Sequence, residues 1–423
     1  MLRKGGVVSA PPGHGARKSR FRRPQVLRNL TEEERAEERT STWLELFFDL
    51  CFVVAVAALA RGLHDDPTLG GTLRFIGLFV PIWWAWMTFT WYATAFDNDD
   101  VPYRVTLLAA MLFMLGISAS VEGVGAQPGA TVGFVVAYAA LRLLLVWLFL
   151  RARSHTPSEL RGFVAWYAAG NALGAVLWLA SLLAPAPLLY VLWAVALSVE
   201  LLAPILAVRT LDEPLVSFHP RHIAERYGLF TIIVLGESVL AVASGTAGTE
   251  WARAAVFTAA LSFVVAACIW WIYFDYVEIT GMELAPKPAF YWGYGHLAVY
   301  AAIAAFGVGA QLAIEGAAHV ESAALAPAGG AGFGLAGQGI LAGSVAVYLL
   351  AVSFVQYVNH HSLSERTALA RLAVAAGLLI LVILGGSLSP PVFAAAVALA
   401  LAALTAFETV YAERFTQRST ENH

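Results

Sequence analysis

Glu45 and Asp49 stand four residues apart in the otherwise apolar stretch Ser41-Thr-Trp-Leu-Glu-Leu-Phe-Phe-Asp-Leu-Cys-Phe52. On a helix that spacing puts both carboxylates on one face. There they repel unless one is protonated, shares a cation or meets an arginine. Thr42 with Glu45 also has the spacing of a capping box, and an acid suits the first turn of a helix, so Glu45 has a structural reading beside the functional one. Asp49, two turns in among Phe47, Phe48 and Phe52, has no such excuse. A second polar set lies in residues 217–240. His222, Glu225 and Arg226 stand at i, i+3 and i+4 and read as an ion-pair cluster at a helix mouth. His219, His222 and Glu225 have a spacing that could hold a metal, but no motif of known geometry supports one and none is assigned. Glu237 lies three turns deeper between Gly236, which would let another helix approach, and Ser238, which offers a hydrogen bond. A buried Glu237 should be protonated or paired. Asp49 and Glu237 are the leading functional candidates.

The other ionisable residues read as lying within apolar spans are Arg142, Glu200 and His296. A charge near a bilayer centre costs at least about 2.5–3.5 kcal/mol. Arg142, the one cation near mid-span, should therefore pair with Asp49, Glu200 or Glu237, as a functional counter-charge or as a clamp between helices. His296 could relay protons or simply hydrogen-bond a neighbouring helix. The excess of carboxylates favours protons or cations over anions as anything that moves. Asp97, Asp99, Asp100 and Arg104 form a further cluster, which reads as an ion-pair network or a cation-attracting vestibule. Asp99 or Asp100 can N-cap the next helix, with Pro102 in its first turn. Trp83, Trp84, Trp86, Trp91 and Tyr92 are too many for an interface belt and either line a cavity or pack. No phosphate-binding glycine loop, catalytic triad or paired cysteines occur in the sequence, so neither an enzyme nor a cofactor is expected.

The elements that must position these residues follow from composition. The chain has 423 residues, 59% hydrophobic and 13% charged, with mean hydropathy +0.70. A soluble domain carries about 25% charged residues; this excludes an ordinary cytosolic enzyme, a nucleic-acid-binding domain and a disordered protein. Apolar blocks near the length of a membrane-spanning helix fall at 42–61, 74–96, 102–121, 131–150, 162–183, 187–208, 224–244, 252–277, 289–314, 336–358, 367–386 and 390–411. The expected fold is an all-α polytopic bundle of about twelve spans. Its divisions are a basic, mostly disordered cytoplasmic tail over 1–40, transmembrane halves over 41–210 and 211–412, and a short tail over 413–423. With both termini cytoplasmic, the inside segments hold 22 Lys/Arg and the outside segments three; this is the positive-inside pattern. Asp49 and Glu237 are 188 residues apart, and Trp83-Trp84 and Trp270-Trp271 are 187 apart. That offset would make the halves two parallel six-helix repeats; chance agreement between two Trp-rich segments is the competing reading.

Trp43-Leu-Glu-Leu-Phe-Phe-Asp-Leu-Cys-Phe-Val-Val54, Phe96-Asp-Asn-Asp-Asp100 with Arg104, and His222-Ile-Ala-Glu-Arg-Tyr-Gly-Leu-Phe-Thr-Ile-Ile-Val-Leu-Gly-Glu-Ser238 together resemble the bacterial low temperature requirement A (LtrA) family over most of residues 40–411. Tyr227 stands where that family usually carries Phe. The resemblance implies a polytopic membrane protein and no established substrate or reaction. The residues themselves suggest a proton- or cation-coupled secondary transporter of the inner membrane. Asp49 and Glu237 would titrate, Arg142 or Arg226 would supply counter-charge, and an unknown small solute would be the cargo. The competing expectation is a non-transporting protein of low-temperature or stress adaptation whose buried charges clamp helices.

Overall fold

A computed structural model describes residues 24–26, 41–209, 220–276, 286–323, 333–358 and 363–421. Twelve of its helices are long and apolar enough to cross a membrane. They are α1 (Trp43–Asp65), α2 (Leu69–Ala95), α3 (Val101–Ser120), α4 (Pro128–Arg153), α5 (Arg161–Ser181), α6 (Leu188–Arg209), α7 (Pro220–Ala247), α8 (Arg253–Tyr276), α9 (Pro286–Ala323), α10 (Leu335–Val358), α11 (Glu365–Leu384) and α12 (Pro390–Glu421). Outward positions carry large apolar side chains, such as Leu372, Ile380, Ile383 and Leu384 on α11. That surface suits lipid and would not stay dispersed in water. The protein is a multi-pass membrane helix bundle.

Local chemistry sets the helix starts. Thr42 caps α1 in a complete capping box with Glu45. The Thr68 hydroxyl accepts from Gly71 N–H at the start of α2, and the Asp100 carboxylate from Tyr103 N–H at the start of α3, with Pro102 in the first turn. The start of α8 is capped from a distance, since Glu321 on α9 accepts from Ala254 N–H at 2.8 Å. α9 runs nine residues past the expected end at 314. The first charge there, Glu315, is held by His64 of α1 at 3.0 Å and by Gln311 one turn back, so the helix need not stop.

α2 is buried on every side from Pro81 onward, as a helix apolar all round should be. It touches α4, α7 and α9; α4 packs on α5 and α5 on α6, while a larger group is centred on α9, whose Tyr294 reaches the Leu201 carbonyl of α6 at 3.0 Å. α9 touches α1, α2, α7, α8, α10 and α12. Small residues permit its close contacts: a Cβ on Gly307 would collide with the Ser238 backbone of α7, and one on Gly309 with the Leu341 backbone of α10. Gly236, expected to admit a neighbour, faces open space; the close approach is made from α9. α1–α3 packing is echoed by α7–α9, and α3–α4 by α9–α10, whereas α12 packs on α8. The residues that suggested a repeat sit in unlike surroundings: Trp83 and Trp84 are sealed, while Trp270 and Trp271 are each 42% exposed. Within the stretch expected to be a disordered tail, Gln25–Val26 (β1) pairs antiparallel with Phe96–Asp97 (β2), directly after α2.

Candidate functional site

The first turns of α1 and α7 meet the last turns of α2 at one end of the bundle. Arg226 projects from α7 and donates through Nε to Asp49 Oδ2 at 3.1 Å and through Nη2 to Asp49 Oδ1. Its Nη1 lies 3.2 Å from Glu45 Oε1. The Trp86 indole of α2 donates to Asp49 Oδ1 at 2.7 Å. Asp49 is 0% and Arg226 1% exposed. The second Glu45 oxygen completes the α1 cap, accepting from Thr42 N–H at 2.8 Å, and lies 3.6 Å from Nε2 of buried His222. That nitrogen has no hydrogen-bond partner among the described residues, while Nδ1 sits 3.3 Å from the Thr94 hydroxyl. A shallow crease lined in part by Glu45, Arg226, Phe89 and Tyr103, too narrow to hold a water molecule, adjoins this cluster. Glu45 is thus both part of the α1 cap and a charge partner of Arg226.

Glu225 does not join this cluster. Positions 225 and 226 differ by about 100° around a helix; as Arg226 turns inward, Glu225 is exposed and accepts from Ser41 N–H at 3.2 Å. Glu237, half-buried, makes no hydrogen bond or ion pair among the described residues. It lies eleven residues beyond Arg226, about 16 Å along α7 at 1.5 Å per residue, so Asp49 and Glu237 do not form one site. Its neighbour Ser238 donates to the Ile303 carbonyl of α9 at 2.8 Å. His296 is fully buried; Nδ1 lies 2.8 Å from the Trp292 carbonyl and Nε2 2.9 Å from the Tyr273 hydroxyl. Trp83, Trp84, Trp86, Trp91 and Tyr92 are all buried, against Tyr294, Phe230, Phe290 and Phe149 among others. They pack and line no cavity among the described residues. The Trp91 indole donates to Tyr227 Oη at 2.9 Å.

Arg142 pairs with Glu200 rather than with Asp49 or Glu237. Its Nη1 lies 3.5 Å from Glu200 Oε2, 3.2 Å from the Thr88 hydroxyl and 3.4 Å from the Asn171 carbonyl oxygen. Glu200 also accepts from Tyr138 Oη at 2.8 Å and from Trp178 Nε1 at 3.1 Å. Beside α2, Arg104 grips Asp99 with two hydrogen bonds at 2.8 and 3.0 Å, and Arg151 of α4 pairs with Asp100. The acidic run is therefore an ion-pair network in part; the Asp97 side chain and His219 lie outside the described residues. No group of metal-ligating side chains occurs among the described residues. One buried pair is not evident from the sequence. Arg371 of α11 donates twice to Glu408 of α12 at 2.7 Å, and also to Gln356 of α10. Both residues lie inside apolar spans, which is the available signal, but near the helix ends where charge reads as solvated.

A family model described as "Bacterial low temperature requirement A protein (LtrA)" matches residues 40–406, which include every residue of the clusters above except Glu408. An uncharacterized protein of Rhizobium meliloti (strain 1021) is 29% identical over 301 residues, covering 67% of this chain and 71% of that protein.

Proposed function

This chain belongs to the bacterial low temperature requirement A (LtrA) family, and we propose that it is a proton-coupled secondary transporter of the bacterial inner membrane, with both termini cytoplasmic. One observation carries the reading. Arg226 faces two buried carboxylates, Glu45 and Asp49, with His222 beside Glu45. Two negative charges against one positive leave the cluster a charge short in a medium where an uncompensated charge is costly. A proton shared between Glu45 and His222 balances it. Asp49, bound by both Arg226 and Trp86, is the anchor; the proton-binding role moves from the Asp49 and Glu237 pair to Glu45 with His222. Glu237 is the next carboxylate along α7 and serves as a later stop for a proton or cation.

The test is reconstitution into liposomes with an internal pH-sensitive dye and a panel of candidate solutes. Proton movement should occur with the native protein and fall to background in Glu45→Gln and in His222→Gln, with folding checked by thermal unfolding. Native-level flux in both variants would sink the reading. A second reading, a non-transporting protein with clamped helices, is favoured by the sealing of Asp49, Arg226 and Trp86. It expects Asp49→Asn to lower the unfolding temperature with no flux to alter.

A further inference from the structure

The chain that leads into α1 is fixed at two points beside the Glu45–His222–Arg226 cluster. Ser41 N–H is held by Glu225 of α7 at 3.2 Å. Earlier in the chain, β1 pairs with β2, Gln25 opposite Asp97 and Val26 opposite Phe96, and Pro24 is buried. β1 lies outside the stretch matched by the family model, which begins at residue 40. Two paired residues are far fewer than an independently stable strand pairing needs, so this contact is one that can dock and release.

β2 joins the last turn of α2 to the first turn of α3, and both turns belong to the cluster's surroundings. On the α2 side, the Thr94 hydroxyl lies 3.3 Å from His222 Nδ1 and the Thr90 hydroxyl 3.5 Å from Arg226 Nη2. On the α3 side, the Asp100 carboxylate accepts from Tyr103 N–H at 3.2 Å, and Tyr103 lines the crease beside Glu45 and Arg226. Stacked rings connect the two sides. Phe96, opposite Val26, stacks on Tyr92 at 4.7 Å, and Tyr92 on Tyr103 at 6.3 Å. With β1 docked, the crease is too narrow for a water molecule, and Glu45 and His222 are buried. For a proton to reach Glu45 by way of water here, the crease must widen.

We infer that β1 is a latch: docked on β2, it holds the α2–α3 connection in place and the crease closed, and its release lets water reach Glu45 and His222. The control of proton movement rests on the transport reading above; the closing of the crease does not. One short contact with two states, two residues from Thr94 and its His222 partner, is enough to bias the bundle between a closed and an open form.

The test uses the full chain in detergent, carrying Gln25→Cys and Asp97→Cys at the paired positions. Opposed positions on paired strands bring their Cβ atoms within about 4.5–5.5 Å, close to the disulfide range, and the native Cys51 and Cys268 are buried. Oxidation should link this pair. It should link Gln25→Cys with Ser154→Cys, an exposed position on the same face, far less. Modification of His222 by diethyl pyrocarbonate, read peptide by peptide in a mass spectrometer, should run at least about threefold slower in the oxidised protein than after reduction. Gln25→Pro with Val26→Pro removes both backbone donors of β1 and should speed the modification while leaving the unfolding temperature of the bundle unchanged. In liposomes, proton flux should fall on oxidation and return on reduction. Absence of flux in every form defeats the transport reading, and the His222 rates then decide the latch by themselves. Linkage no greater than in the Ser154→Cys control, His222 rates alike in all forms, or a flux indifferent to oxidation overturns the inference.

Discussion

At the scale of single residues, burial makes removing one partner of a charge pair far more costly than weakening it. Asp49→Ala would leave Arg226 sealed with one remaining carboxylate, and loss of one partner of a buried pair costs about 3–5 kcal/mol. Asp49→Asn keeps the shape and one acceptor and should cost clearly less; thermal unfolding in detergent ranks the two. Tyr227 offers a cleaner case. Phe at this position would remove the Tyr227 hydroxyl that now accepts from the Trp91 indole at 2.9 Å, a net loss of about 0.5–1.5 kcal/mol. Trp91→Phe in the same chain should recover part of that loss, and a double-mutant cycle measures the coupling. These residues could be picked out in the sequence because acids and arginines are rare in apolar blocks. Their pairing could not. Helical spacing relates His222, Glu225 and Arg226 to one another, but does not say which of them turns toward α1. Arg226 does, and Glu225 caps the approach to α1 from outside.

At the scale of elements, hydropathy is a nearly sufficient guide, because a span must fill about 30 Å of hydrocarbon with satisfied backbone. All twelve expected blocks are helices. The misreadings come where polar residues are satisfied by distant partners. α9 continues through Glu315 because His64 and Gln311 meet that acid, and its Glu321 caps α8. Neither His64 nor the start of α8 is near its partner in sequence. Gly309 shows a constraint of another kind, since only the absence of a Cβ lets α9 lie against the Leu341 backbone of α10. Gly309→Val should force the helices apart at about 1–3 kcal/mol or more. Gly343→Val on α10, where nothing lies within 4 Å of an added Cβ, should be close to neutral. Comparing the unfolding temperatures of the two variants isolates the helix contact from the change in residue type.

At the scale of the whole molecule, charge sets orientation, and the structure sharpens how that charge is counted. Arg226 and Arg371, which a sequence tally assigns to one face, are buried in ion pairs and no longer count as loop charges. Among the described residues, Arg104, Arg151, Arg153, Arg161, Arg209 and Arg366 still stand at the face where α1 begins, while Arg61, Arg74 and Arg253 stand at the other. The asymmetry that keeps Arg-rich loops inside therefore survives without the buried pairs. The two native cysteines, Cys51 and Cys268, are both buried, so an introduced thiol can be read against a quiet background. Ser154→Cys lies between α4 and α5 on the face where α1 begins, and Glu250→Cys between α7 and α8 on the opposite face; both positions are exposed. In intact cells whose outer barrier is opened, a membrane-impermeant maleimide should label Glu250→Cys at once and Ser154→Cys only after lysis. The reverse order would place the termini outside. It would also turn the Glu45–His222 cluster, which lies at the α1 end of the bundle, toward the medium rather than the cytoplasm, and so reverse the direction from which its proton arrives.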